Sequence, residues 1–192
     1  MISNWLTAYI EANTTDEGIP LTEAQAAYAR ERGLLPAGSE VLAPPLFNPS
    51  YVTADKETDE ETPAEDGIGS RPITWVKDHP GSYVYAEEPL FQTVGVDGVS
   101  LEADDVFGTV TALFGLRLQK KHGEWLKQYI DQDLGTAPGT RSMMFSNEDG
   151  LWDVNIALDH AEGFSDALTF NDTLQLLYSW LFRMLTALED QA

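Results

Sequence analysis

Residues 100–122 read "SLEADDVFGTVTALFGLRLQKKH", and the period assigned to this stretch decides the fold. Val106, Val110, Leu113 and Arg117 follow a 3–4 spacing, and Phe107, Val110 and Phe114 form the row beside them. The spacing predicts a long helix opened by Ser100. Glu102, Asp104 and Asp105 fall in its early turns and Lys120, Lys121 and His122 at its end, the order that suits the helix dipole. Gly108 and Gly115 lie seven apart, nearly on one side of such a helix. Each glycine costs roughly 1 kcal/mol relative to Ala in a helix interior, so close approach of a neighbouring element would be the reason to keep them.

Downstream, Gly123 ends or kinks that helix, and "EWLKQYIDQDLG" adds a short one with Trp125, Leu126, Tyr129 and Ile130 as its apolar set. "RSMMFS" and "LWDVNIAL" flank "NEDG", the signature of a hairpin. A C-terminal helix runs from about Asn171 or Asp172 to Glu189. Upstream, "ITWVK" and "SYVYAE" alternate around "DHPG" as another hairpin, and "LFQTVGV" reads as a third strand.

Residues 44–72 carry Pro44, Pro45, Pro49, Pro63 and Pro72 around the acidic run "TADKETDEETPAEDGIGS". Such a run buries too little apolar surface to offset chain entropy, which predicts an acidic, Pro-containing loop. Residues 1–43 predict a helical hairpin appended to the same domain. Its first helix spans 3–12 with Ser3 as N-cap. Its second opens on the Thr22–Gln25 capping box, carries Arg30 and Arg32 in its last turn and stops at Gly33. Residues 73–192 form the core. The element order lacks regular βαβ alternation and predicts an α+β fold. A mainly antiparallel sheet of about five strands would pack against the long central helix and the apolar C-terminal helix.

Composition restricts function more than it reveals it. The chain has 192 residues, 43% of them hydrophobic, enough for a sizeable core. Its 32 acidic and 11 basic residues give a net charge of −21. Such a surface repels phosphate backbones and anionic membranes, and it suits a basic protein partner. With no cysteine, thiol catalysis, zinc–thiolate sites and disulfides are excluded. The first 20 residues lack the pattern of a signal peptide, so the expected location is the cytoplasm. In the C-terminal helix, Leu174, Leu177, Leu181, Met184, Leu185 and Leu188 make one stripe, and Leu176, Tyr178, Trp180 and Phe182 spread over the rest. A helix with so little polar face predicts burial or a second subunit, and a homodimer through this helix is the expectation. Tyr178 and Trp180 are then candidates to line an apolar ligand pocket.

No phosphate loop, nucleophile elbow or H-E-x-x-H motif is present. His79 falls in the "DHPG" turn and His122 follows two lysines at a helix end. The densest polar group is "LWDVNIALDHAEGF", residues 151–164. Read as a strand, it turns Trp152, Val154, Ile156 and Leu158 one way and Asp153, Asn155 and Asp159 the other, with His160 on the apolar side. Asp153, Asp159 and His160 are the catalytic candidates. Asp153 and Asn155, about 6–7 Å apart on one face, are candidate ligands for an oxygen-favouring cation. Asn155 is also a candidate for ligand binding. Asp153 and Asp159 would stand about 20 Å apart on a straight strand, too far for the paired carboxylates of glycoside hydrolysis.

Neither a cofactor nor a metal is expected. The leading functional expectation is a non-enzymatic binding or accessory module for a protein or small ligand. The alternatives are a cation-assisted hydrolase using residues 153–162, and an acidic DNA mimic that inhibits a basic protein.

Overall fold

Residues 96–103 and 110–116 form two antiparallel strands, so the helix expected over 100–122 is replaced by a hairpin. The computed structural model describes residues 1–44 and 47–191. In chain order the elements are α1 (Ile2–Asn13), β1 (Ile19–Pro20), α2 (Glu23–Glu31), β2 (Val41–Leu42), β3 (Ser50–Asp55), β4 (Glu61–Pro63) and α3 (Trp75–Asp78). Then come β5 (Ser82–Glu87), β6 (Val96–Ala103), β7 (Val110–Leu116), α4 (Gly123–Leu134), β8 (Arg141–Ser146), β9 (Leu151–Ala157) and α5 (Phe170–Glu189). The α+β class and the mainly antiparallel sheet are as expected. Among the described residues the sheet has seven strands rather than five, in the order β4-β3-β5-β6-β7-β9-β8, every pair antiparallel.

The β6–β7 turn explains the misreading. Asp104 accepts the N–H groups of Val106 and Phe107 at 2.8 and 2.7 Å, and Gly108 takes φ +65°. This local carboxylate–backbone pairing favours a turn over a helix. Val99, Leu101 and Ala103 then point to one face, directly across from Phe114, Ala112 and Val110. All six are buried, and each lies two residues from the next along its strand. The apolar positions satisfy a period of two as well as they satisfy 3.6.

Three other expectations change. "ITWVK" is no strand, because Trp75–Asp78 is the helical turn α3. Most of "LFQTVGV" is the 3-10 segment Pro89–Val94, opened by Pro89 and by the Glu88 carboxylate, which accepts the Leu90 N–H. The acidic segment 44–72 contributes two strands, β3 and β4 (Pro45 lies outside the described residues). Here the acids act locally: Asp55 accepts the N–H groups of Glu57 and Thr58 at 2.9 and 3.0 Å and closes the β3–β4 turn. These hydrogen bonds hold its carboxyl below the usual range. β3 pairs with β5 over its whole length, and Tyr51 donates to Asn171 Oδ1 of α5 at 2.6 Å.

The core lies between one face of the sheet and the helices. α1 supplies Ile2, Leu6 and Ile10, all at most 2% exposed. Ser3 does not cap α1. Its hydroxyl and its N–H both donate to Glu189 near the end of α5. α2 has the expected capping box, and α5 has another, made by Thr169 and Asp172. α5 is the centre of the helical layer. Leu174, Leu177, Leu181, Met184, Leu185 and Leu188 are all buried by the chain's own elements. Each such side chain contributes about 1.5–3 kcal/mol of burial, so this helix needs no second subunit to cover its apolar stripe. No helix among the described residues is long and apolar enough to cross a membrane.

Candidate functional site

A groove of about 720 Å³ lies between α2 and α5. Tyr28, Leu90, Tyr178 and Phe182 make its apolar floor, and Pro44 and Phe47 edge it. Glu23, Glu31 and Asp190 stand on its rim with Arg183, and Asp190 is paired with Arg32. The polar strip of α5, comprising Gln175, Ser179, Arg183 and Thr186, lines the groove rather than packing into the core.

A chain of hydrogen bonds holds the two helices at this separation. Gln25 uses both ends of its amide. Its Oε1 accepts the Thr22 N–H at 2.8 Å, completing the capping box, and its Nε2 donates to the Tyr178 hydroxyl at 2.8 Å. Tyr178 lies 3.0 Å from the Thr93 hydroxyl, which donates to the Leu90 carbonyl at 2.7 Å. Tyr178 is 6% exposed, and burial pushes its phenol well above the ordinary value, so it stays neutral. A second tie lies one turn on. Tyr28 meets Phe182 edge-on at 5.9 Å and donates to Glu189 at 2.5 Å. Burial would raise the Glu189 carboxyl. Hydrogen bonds from Ser3, Tyr28 and the Met1 amine outweigh that and hold it at about 2. Arg32 and Asp190 close the far end as an ion pair. The groove is a pre-formed apolar trough with an acidic rim, of the size that holds small ligands and helical segments.

The residues singled out from sequence are scattered. Of Tyr178 and Trp180, the groove takes only Tyr178. Trp180 points the other way and donates Nε1 to Asp133 Oδ2 of α4 at 2.5 Å. Asp153 and Asn155 lie on the sheet face opposite the helices, in a shallow hollow with Tyr85, Asp97, Ser100, Leu113 and Leu151. None of the residues lining that hollow is a histidine. Asp159 is tied into the fold: one oxygen accepts the Val110 N–H at 2.6 Å and the other accepts Lys77 at 3.2 Å. β9 ends at Ala157, so Asp159 and His160 sit in a 3-10 turn instead of continuing the strand, and His160 is exposed. His79 stacks on Trp75 at 3.9 Å, and its Nδ1–H donates to the Trp75 carbonyl at 2.8 Å. Among the described residues, no group of three or more His, Asp and Glu side chains is arranged to hold a metal ion.

Lys56 is a half-buried cation on the open sheet face. It donates to the Ala103 carbonyl at 2.6 Å and to Asp105 at 3.1 Å, with Glu102 at 3.5 Å. Burial raises the Glu102 carboxyl despite this lysine. The group ties the β3–β4 turn to the β6–β7 turn.

Sequence reasoning named Tyr178 but missed Tyr28, Gln25, Glu23 and Glu31. Gln25 was visible only as a capping residue, and its second bond needs the fold. Compared with known proteins, the chain matches no family model, no curated protein and no solved structure.

Proposed function

We propose that the protein is a non-enzymatic binding module, and that the α2–α5 groove takes an amphipathic, positively charged segment of a protein partner. The observation that carries this reading is the pairing of an aromatic floor with a rim on which Glu23 and Glu31 stand free of ion pairs, while Asp190 is held by Arg32 and Arg183 by Asp133. Apolar side chains of the partner would fill the floor and its lysines or arginines would meet Glu23 and Glu31. Desolvated aromatic pockets give affinity, and opposite charge gives orientation and on-rate. The net charge of −21 favours encounter with basic partners in the same way. A homodimer through α5 draws no support from this geometry, because the stripe that suggested it is internal. The hollow holding Asp153 and Asn155 offers no histidine to a hydrolase. No cofactor is part of the proposal, and the proposed setting remains the cytoplasm.

The test is calorimetric titration with a designed Leu/Lys amphipathic helix. The wild type should bind, the double variant E23K/E31K should bind at least about tenfold more weakly, one decade per 1.4 kcal/mol, and a Leu/Glu helix should not bind. Equal affinity for both peptides, or none for either, would remove the reading.

A further inference from the structure

We propose that two copies of this chain pair edge to edge through β8, joining their sheets about a two-fold axis at Met144. The two edges of the sheet differ. β4 is three residues long, ends at Pro63 and carries Glu61, with Glu60 just before it. Shortness, charge and proline are the usual means of blocking an edge strand. β8 has none of them. It spans six residues, "RSMMFS", and its only charge, Arg141, is held by Asp131 through bonds of 2.6 and 2.8 Å. Its neighbour in the sheet is β9, on one side alone.

Two features make a second copy the fitting occupant. The first is self-complementarity. Ser142-Met143-Met144-Phe145-Ser146 reads the same in both directions by class: polar, apolar, apolar, apolar, polar. In an antiparallel sheet, directly opposed residues share a face, so a two-fold axis must pass through a residue. With the axis at Met144, Ser142 meets Ser146 of the other copy, Met143 meets Phe145 and Met144 meets Met144. Met144 is 67% exposed, one of three large apolar side chains so exposed among the described residues, and this pairing covers it. The axis at Met143 would instead set Arg141 against Phe145 and Ser142 against Met144.

The second feature is charge. Lys120 reaches Asn147 in the β8–β9 turn and sits over Phe145, and Lys127 lies beside Arg141. These cations offset Asp131, Glu148, Asp149 and Asp153, the acids beside the strand, so this edge is close to neutral in a chain of net charge −21. The rest of the chain carries the remaining excess of acid, which opposes the approach of two copies.

The chain has no cysteine, so single substitutions report the register directly. Opposed Cα atoms stand about 4.5–5.5 Å apart in an antiparallel pair, within disulfide reach. M144C in the full chain should form an interchain disulfide under mild oxidation. S142C should do so at least about tenfold more slowly, because the two Ser142 positions stand roughly 13 Å apart along the strands. Wild-type protein should sediment as a dimer at high micromolar concentration, and M144K as a monomer with unchanged circular dichroism. E23K/E31K should leave the dimer intact, which separates this surface from the groove. A wild type that stays monomeric, a dimer that survives M144K, or equal cross-linking of the two cysteine variants would overturn the proposal.

Discussion

Glu189 shows how much a single residue can hold. It joins the end of α5 to the start of α1 through Ser3 and to α2 through Tyr28. Its carboxyl titrates at about 2 in the fold against an ordinary value of 4.5. A carboxyl with a depressed folded pKa stabilises the protein fully above its unfolded value and progressively less as pH falls toward the folded one. Stability should therefore decline between about pH 5 and pH 2, and E189Q should flatten that part of the profile. The same substitution should lower stability at neutral pH by about 1.5–3 kcal/mol, the range for hydrogen bonds to a charged group. Urea unfolding across pH checks both. Tyr178 makes a second case. Y178F removes the acceptor for Gln25 and the partner of Thr93 in a dry site, and should cost about 1–3 kcal/mol. An unchanged midpoint would show that the relay between α2 and α5 carries no stability. These roles were not legible in the sequence, because each depends on partners more than 80 positions away.

At the scale of elements, the sequence was most legible where a local signal had one meaning. The Thr22–Gln25 capping box, "RSMMFS-NEDG-LWDVNIAL" and the C-terminal helix all stand where periodicity placed them. It was least legible where two periods fitted the same residues. In 96–116 the apolar residues could be set on a helical row as well as on alternation, but of that row only Val110 and Phe114 are buried while Val106 and Phe107 are exposed, and Gly108 was the discriminating signal. Gly108 is a turn residue with φ +65°, so its presence argued against the helix that it was taken to cost. G108V should therefore destabilise the protein by about 1 kcal/mol or more through backbone strain alone, since nothing lies within 4 Å of a Cβ there. Neutrality of G108V in thermal unfolding would contradict the assigned turn. β3 was missed for a different reason: it lies inside an acidic, proline-marked segment whose composition resembles a solvated loop. Pairing with β5 and the bond from Tyr51 to α5 override that composition.

Across the whole molecule, charge dominates behaviour in solution. Seven of the 11 cationic side chains, Arg32, Lys56, Arg71, Lys77, Arg117, Arg141 and Arg183, already hold a carboxylate. With 32 acids against 11 cations, the chain carries a large excess of carboxylates that repel one another. Salt shortens the range of that repulsion from about 10 Å at 0.1 M to about 3 Å at 1 M. The melting temperature should rise by several degrees between these conditions, and a flat or falling value would contradict the charge argument. The same salt should weaken a basic ligand at the acidic rim while leaving contacts with the aromatic floor.

Where a basic amphipathic helix binds is therefore the most direct question. Amide chemical-shift mapping of the wild type during titration with the Leu/Lys helix answers it. Shifts should concentrate at Glu23, Tyr28, Glu31, Gln175, Ser179 and Phe182. Shifts confined to the sheet face around Asp153 and Asn155, or no shifts at all, would contradict binding at the groove.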